Sequence, residues 1–183
     1  MMPRHRKNLP AIWLMTDERV PDAALLRTAA RLPRGRAGIV FRHYHMPSDA
    51  RRVLFEHIRA IARRRRLVLV LAGNMRLATA WKADGWHGPD ARRATWPLLH
   101  SMAAHDAREV RRADRAGADL LFLSPLFPTR SHPGVRALGR IRFAALARSA
   151  PIPVMALGGV RPIAAARLRP LGAAGYGAID GLV

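Results

Sequence analysis

A loop rich in proline and hydroxyl groups follows a short apolar segment in the second half of the chain. The segment is Leu120–Leu123, and the next nine residues bring the hydroxyls of Ser124, Thr129 and Ser131 and the titratable ring of His132. Hydroxyl groups and loop N–H groups are donors that suit the oxygens of a phosphoryl group. This stretch is therefore a candidate phosphate-binding loop.

A second apolar segment ends in a similar way further along the chain. Residues 153–157 run into Gly158 and Gly159, and a pattern compatible with a helix begins near Arg161. A glycine pair lets the backbone approach an anion closely, because neither residue carries a Cβ atom. Two anion-friendly loops, each at the end of an apolar segment, predict an α/β protein that handles phosphate.

The composition fits one compact cytoplasmic domain. The chain has 183 residues, half of them hydrophobic, and we expect one domain over residues 1–183 with a flexible basic segment over residues 1–10. The absence of cysteine excludes disulfides and thiolate metal sites and fits a reducing cytosol. No apolar run approaches the roughly 20 residues that span a bilayer, and the basic start lacks the pattern of a signal peptide. We therefore expect a cytoplasmic location and no membrane partner.

The formal charge of +20 raises the question of nucleic-acid binding. Lys7 and Lys82 are the only lysines, so the charge is nearly all arginine, and it is spread over every predicted helix. Aromatic residues make up 6% of the chain and do not interleave with the basic block at residues 63–66, so a stacking platform for single strands is lacking. We expect no specific nucleic-acid partner, only adhesion to polyanions at low salt.

Apolar runs of strand length alternate with amphipathic segments along the whole chain. Ser48 and Asp106 are predicted helix N-caps, because a short side-chain oxygen can accept from an unpaired backbone N–H. The predicted strands cover residues 12–15, 38–42, 67–71, 85–87, 98–102, 120–123, 153–157 and 176–179. The predicted helices cover residues 22–31, 48–64, 75–82, 90–95, 106–116, 139–148 and 161–168.

These strands are apolar throughout and do not alternate, which indicates a parallel sheet covered by helices on both faces. Eight strand–helix steps favour a closed (β/α)8 TIM barrel, with an open doubly wound sheet as the rival architecture. The chain is short for this barrel and ends at Val183, directly after the last predicted strand. We expect the eighth helix to be missing, so that one outer face of the barrel is open or is covered by the N-terminal segment or a partner. A homo-oligomer is a further possibility for the protein.

The order of these motifs resembles one family, thiamine phosphate synthase and its TenI relatives, over about residues 12–182. Members of the family join an aminopyrimidine-methyl diphosphate to a thiazole phosphate, and they release diphosphate with the help of Mg²⁺. The matching pieces are residues 13–17, Phe41-Arg42, residues 83–88, residues 104–106 with Glu109, residues 117–119 leading into 124–129, and residues 156–160.

The resemblance implies a small phosphorylated ligand and a role for each matching position. Arg42 would contact the diphosphate, His87 would lie against the pyrimidine, and Asp90 would be a ligand of Mg²⁺. The thiazole phosphate would be held by Thr129, Ser131 and the amides around Gly158 and Gly159.

Several positions depart from the family pattern. Tyr44 stands where the family has a lysine, and His132 stands for the lysine of the phosphate loop, where it could act as a catalytic cation only when protonated. Ala72-Gly73 replaces an Asn-Asp pair that supplies a carboxylate to Mg²⁺, with Asn74 as the nearby polar substitute. Ala103 and Asp180 each replace a serine. The absent strand-three carboxylate argues against the Mg²⁺ that the family otherwise uses.

Three functional hypotheses remain open from the sequence. The first is transfer chemistry of the thiamine phosphate synthase type, or that of a divergent relative. The second is a TenI-like binding or regulatory protein with impaired catalysis, and the third is a polyanion-binding protein that uses only its arginine surface. A minor alternative places a metal between His43 and His45, because a His-x-His pair on an extended segment can hold zinc.

Overall fold

Eight parallel strands close into a barrel in the computed structural model, which describes residues 9–91, 98–129, 134 and 136–179. The strands pair in chain order, and the last pairs with the first, so the predicted TIM barrel is confirmed. The strands are β1 (Ile12–Met15), β2 (Ala37–Phe41), β3 (Val68–Ala72), β4 (Gly85–His87), β5 (Leu99–Ala104), β6 (Leu120–Leu123), β7 (Val154–Ala156) and β8 (Gly175–Ala178). The helices are α1 (Asp22–Arg31), α2 (Ser48–Arg65), α3 (Met75–Ala80), α4 (Ala107–Arg115) and α5 (Gly139–Ser149).

The barrel has a packed interior and an outer layer of helices. Alternate strand residues point inward and form one apolar cluster, in which the Trp13 and Phe122 rings meet edge to face at 5.6 Å. Gly38 on β2 leaves the room that the Trp13 ring fills, since a Cβ atom there would overlap the ring. The remaining strand residues pack against the helices in two larger clusters. The interior is therefore solid, and the open space lies at the strand ends.

Two local predictions are wrong. Ser48 is the first residue of α2, the N-cap position is Pro47, and no side chain caps this helix. The helix predicted over residues 161–168 is two short 3-10 segments, Pro162–Arg167 and Arg169–Leu171. Each has a proline in its first two positions. Pro170, in the second segment, has no N–H and so cannot donate the hydrogen bond that a continuing α-helix would need there. Asp106 does cap α4, accepting from the Glu109 N–H at 2.8 Å.

The chain termini limit what the structure says of two further predictions. Pro10 is buried, and its carbonyl oxygen accepts from the Trp13 indole at 2.7 Å, so this residue is anchored to β1. Residues 1–8 of the predicted flexible segment lie outside the described residues. So do residues 180–183, on which the prediction about an eighth helix depends, and most of the helix predicted over residues 90–95. In the part of the chain that the structure describes, no helix is long and apolar enough to cross a bilayer.

Candidate active site at the carboxyl ends of the strands

The loops after β6 and β7 interlock at the carboxyl end of the barrel. The N–H of Leu126 donates to the carbonyl oxygen of Leu157 at 2.8 Å, and the N–H of Phe127 donates to that of Gly158 at 3.1 Å. The two candidate phosphate loops thus continue the parallel pairing of their strands beyond the barrel. They form a single rigid edge, which the sequence could not show.

Both glycines of the second loop need to be glycine. Gly158 and Gly159 have φ of +89° and +64°, a region that side chains disfavour. A Cβ atom on Gly158 would lie 2.7 Å from the Pro125 Cβ, and one on Gly159 would lie 2.6 Å from the Pro128 carbonyl oxygen. Among the described residues no acceptor faces the N–H groups of Gly158 and Gly159. These two amides are free to bind an anion.

The first loop is described as far as Thr129, which is partly buried beside Pro128. Ser124 is buried at the start of the loop, and its N–H donates to the Ala104 carbonyl oxygen at 3.0 Å. Thr129 follows directly after Phe127 and Pro128, the two residues that Gly159 packs against. Ser131 and His132 lie outside the described residues, and their predicted roles stay predictions.

On the other side of the mouth, Arg42 follows β2 directly. Its Nε donates to the Thr16 carbonyl oxygen at 2.8 Å, and its Nη2 lies 3.4 Å from the Asp17 carboxylate, which Arg19 also binds in a bidentate pair. The Arg42 side chain is only 17% exposed. Burial lowers the pKa of its guanidinium, but an arginine stays charged at neutral pH. Arg42 thus brings a fixed positive charge to the mouth.

The two histidines after Arg42 do not form a metal site. His43 is buried, its Nδ1 lies 2.9 Å from the Thr16 hydroxyl, and its ring stacks on Phe41 at 4.7 Å. His45 is exposed and binds the Glu18 carboxylate through its N–H and Nδ1. The two rings thus lie in different surroundings, and the His-x-His hypothesis is not supported by the side-chain positions.

His87 ends β4 and lies at the centre of the mouth. Its Nδ1 hydrogen-bonds the Ser101 hydroxyl at 3.0 Å, and its ring meets Phe122 edge to face at 5.7 Å. Burial, with smaller contributions from the charges of Arg42 and His100, lowers the pKa of His87 to about 4. The ring is therefore neutral at neutral pH and can stack on a ligand or share a hydrogen bond without carrying charge.

A cavity of about 370 Å³ opens at the carboxyl ends of β3, β4 and β5. His87 and Asp90, two of the site residues predicted from the sequence, both line this cavity, and Tyr44 lines it as well. The remaining lining residues are Gly73, Gly88, Pro89, Met102, Ala103, His105, Glu109 and Arg112. The cavity contains both charges and apolar surface, as a small-molecule site does.

Comparison with known proteins identifies the family. The family model described as "Thiamine monophosphate synthase" matches residues 12–182. The chain belongs to this family. A thiamine-phosphate synthase of Myxococcus xanthus is 32% identical over 180 residues, which cover 92% of this chain and 83% of the relative. One from Chloroflexus aurantiacus is 30% identical over 181 residues, covering 90% and 83%. A putative thiamine-phosphate synthase 2 of Aquifex aeolicus is 27% identical over 160 residues, covering 83% and 86%.

The fold agrees with solved structures. Thiamine phosphate pyrophosphorylase from Pyrococcus furiosus superposes with a TM-score of 0.76 at 23% identity, covering 96% of this chain and 87% of that one. KDPG aldolase from Legionella pneumophila also superposes, with a TM-score of 0.64 at 14% identity, covering 97% and 86%. The barrel is therefore shared with proteins of other activities, and the family assignment rests on the sequence.

The described residues do not fit the Mg²⁺ that thiamine phosphate synthases use. The structure places Ala72 and Gly73 at the end of β3, where neither can supply a carboxylate, and Asn74 uses its Oδ1 to accept from the Leu77 N–H at 2.8 Å as the cap of α3. Asp90 is exposed at the cavity. In the described ranges no three His, Asp or Glu side chains converge to hold a metal. Asp90 stays a prediction as a ligand, without described partners.

Sequence reasoning missed two polar residues at the mouth, Arg51 and Ser101, and named Glu109 only as part of the family match. Arg51 on α2 reaches the ends of β2 and β3, and Ser101 lies below Ala103 on the same strand and orients His87. Glu109 accepts from the N–H and Nδ1 of His105 at 2.7 and 2.8 Å. These bonds tie His105, just before α4, to the first turn of the helix. A search two residues upstream of Ala103 would have found Ser101, because side chains on one face of a strand recur at that interval. Arg51 gave no comparable signal among so many arginines.

Proposed function

We propose that this protein binds a thiazole phosphate on the edge formed by the loops after β6 and β7, and joins it to an aminopyrimidine-methyl diphosphate. The interlocked backbone of the two loops carries the proposal. The N–H groups of Gly158 and Gly159 and the nearby loop residue Thr129 are donors that suit a phosphate monoester. Family membership supplies the two substrates and the direction of the reaction.

The reaction breaks the bond between the methylene carbon and the nearest diphosphate oxygen. Diphosphate leaves with the electron pair, and a thiazole ring atom supplies the pair for the new bond. The developing negative charge on diphosphate needs a positive partner, and the fixed charge of Arg42 is available at the mouth. No step is assigned to Mg²⁺, because the described residues do not fit it.

His87 would serve the aminopyrimidine in this scheme. A neutral ring packs against a heteroaromatic ligand without the cost of burying a charge, and burial lowers the pKa of His87 enough to keep it neutral. The Ser101 hydroxyl fixes the orientation of the ring through Nδ1. This leaves the Nε2 edge and the ring face for the substrate.

A second candidate function is ligand binding without turnover. The observation that favours it is the end of β3, where Ala72 and Gly73 offer no carboxylate and Asn74 is engaged as a cap. Metal ions contribute several kcal/mol of charge stabilisation to such reactions. A protein without that contribution could retain the phosphate edge and serve as a binding or regulatory protein.

Diphosphate release from the two substrates, measured alongside thermal stabilisation by a thiazole phosphate, separates the two functions. The first function predicts both signals, and the second predicts stabilisation alone. Thr129→Ala should weaken thiazole phosphate binding about tenfold or more, because a hydrogen bond to a charged group contributes about 1.5–3 kcal/mol. Thr79→Ala, a matched change on the exposed side of α3, should leave it unchanged. Absence of both signals in the wild-type protein would overturn the proposal.

A further inference from the structure

Arg51, in the first turn of α2, reaches the carboxyl ends of two strands. Its Nη2 donates to the carbonyl oxygen of Ala72 at 2.8 Å and to that of Arg42 at 3.3 Å. The guanidinium carbon also lies 5.7 Å from the centre of the Phe41 ring and 5.4 Å from that of Trp81. Two carbonyl groups and two aromatic rings thus hold this positive charge where β2 and β3 end.

In the described ranges no carboxylate accepts a hydrogen bond from Arg51, and Glu18 acts on it only through longer-range attraction. Its acceptors there are two neutral carbonyl oxygens, and its Nε is buried without a hydrogen-bond partner. Burial lowers the pKa of the guanidinium, while the nearby Tyr44 and Glu18 oppose that shift. A partly buried charge that meets only neutral acceptors is costly unless an anion joins it.

A second guanidinium and a hydroxyl lie in the same part of the mouth. The carbonyl oxygen of Arg42 accepts from Arg51, and among the described residues the carboxylate that pairs with the Arg42 side chain is Asp17, which Arg19 also binds. Tyr44 lines the cavity at this point. Partial burial raises the pKa of its phenol, and the charges of Arg42 and Arg51 oppose the rise, so each arginine lies within electrostatic reach of Tyr44.

We propose that Arg51 and Arg42 bind the diphosphate group of the substrate directly, without a divalent cation. The proposal rests on the proposed function, which supplies the diphosphate substrate. The Arg51 guanidinium donates to the carbonyl oxygen of Ala72, at the strand end where the family's Asn-Asp pair falls on Ala72 and Gly73, so a positive charge lies beside the positions that lack the family's carboxylate. A guanidinium there repels Mg²⁺ and attracts diphosphate, whose oxygens match its planar donors.

Calorimetric titration of the wild-type protein with inorganic diphosphate tests the proposal. It is done at about 0.15 M ionic strength, where long-range surface attraction is screened, once with EDTA and once with excess Mg²⁺. We expect saturable binding in EDTA that is at least as tight as binding in Mg²⁺, because Mg²⁺ neutralises the ligand that the guanidiniums recognise. Binding that requires Mg²⁺, or no binding in EDTA, would overturn the proposal.

Two neighbouring arginines give a matched pair of variants. Arg51→Gln should weaken diphosphate binding at least tenfold in EDTA. Arg52→Gln removes the same charge from the next residue, which stacks on the same Trp81 ring at 5.0 Å and pairs with Glu56, and should change the affinity less than twofold. Equal losses in the two variants would mean that only net charge matters, and would contradict the proposal.

Thiazole phosphate binding at the β6–β7 edge serves as the control for folding and for the proposed function. Arg51→Gln should retain it, since that edge lies across the mouth. Arg51→Gln could lose both ligands because it removes the hydrogen bonds that join α2 to the ends of β2 and β3. In that case the comparison of wild-type binding in EDTA and in Mg²⁺ still tests the proposal. Wild-type binding of thiazole phosphate without metal-free diphosphate binding would end this inference and leave the phosphate edge of the proposed function intact. Binding of neither ligand would end both.

Discussion

The two sides of the barrel mouth offer different kinds of groups to a ligand: main-chain groups on one side and side chains on the other. The β6–β7 side is backbone: two loops joined by main-chain hydrogen bonds, with glycines that nothing larger can replace. The β2–β3 side is made of side chains, with Arg42, Tyr44 and Arg51 around strand ends that carry Ala72 and Gly73. A backbone cradle binds through geometry that several sequences can produce, whereas a side-chain site changes its chemistry with each substitution. The glycine pair of the β6–β7 side therefore matches the family pattern, whereas Tyr44, Ala72 and Gly73 of the β2–β3 side depart from it.

The first way to break this comparison is to fill the space between the two loops. Gly159→Ala places a Cβ atom 2.6 Å from the Pro128 carbonyl oxygen and 2.8 Å from the Phe127 Cβ at φ of +64°, and neither atom can move without the backbone. Strain of about 1–2 kcal/mol from the dihedral and about 1–3 kcal/mol from overpacking should lower the free energy of unfolding by about 2–5 kcal/mol, as measured by urea denaturation. Thiazole phosphate binding should fall with it.

Gly35→Ala is the control for that experiment. Gly35 has nearly the same φ, +67°, but a Cβ atom there meets nothing within 4 Å. The free energy of unfolding of Gly35→Ala should therefore fall only by the dihedral contribution of about 1–2 kcal/mol. If the two variants were equally stable, the interlocking of the loops would not be a source of stability.

The second prediction concerns the pH dependence of stability at His87. Its pKa is about 4 in the folded protein, held down first by burial, against about 6.5 in an unfolded chain. The unfolded chain takes up the proton first as pH falls, so stability is full above pH 6.5 and declines toward pH 4, by up to about 3 kcal/mol. Urea denaturation at several pH values should show this slope.

His87→Gln should flatten the slope between pH 6.5 and pH 4. His43, whose pKa burial also lowers, contributes in the same direction and remains in both proteins. The prediction is thus about the difference between the two curves. Parallel curves for wild type and variant would show that His87 is not held neutral at the mouth.

The smallest predicted effect distinguishes a cap from a metal ligand. Asn74→Ala should lose about 1 kcal/mol of unfolding free energy, because it removes the hydrogen bond to the Leu77 N–H at the start of α3. Asp106→Ala, the equivalent change at α4, should cost about the same. Neither variant should alter the response of the protein to Mg²⁺. A loss of Mg²⁺ binding in Asn74→Ala alone would assign Asn74 to a metal site instead.

The sequence predicted the barrel because the strand signals are physical and local. Residues 12–15, 85–87 and 120–123 were placed without error, since each is an apolar run bounded by polar or turn residues. The segment after β7 is predicted as one α-helix because its apolar residues have helical spacing. The structure instead has two short 3-10 segments, and Pro170 in the second cannot donate a backbone hydrogen bond.

The site could be predicted only where it follows a strand in sequence. Arg42 and His87 come directly after or at the end of apolar runs, and so do Thr129 and the glycine pair. Arg51 comes from the helix, and its neighbours in sequence are exposed or paired arginines such as Arg52 and Arg59. Its importance arises from contacts with Ala72 and Trp81, which are 21 and 30 residues away, and no local pattern encodes them.

Anomalous diffraction from crystals grown with inorganic diphosphate and Mn²⁺ tests the central claim most directly, because manganese substitutes for Mg²⁺ at oxygen sites and can be located by its own signal. The account predicts diphosphate density between Arg42 and Arg51 and no manganese peak beside it. A manganese peak at the end of β3 or at Asp90, bridging to the diphosphate, would contradict it.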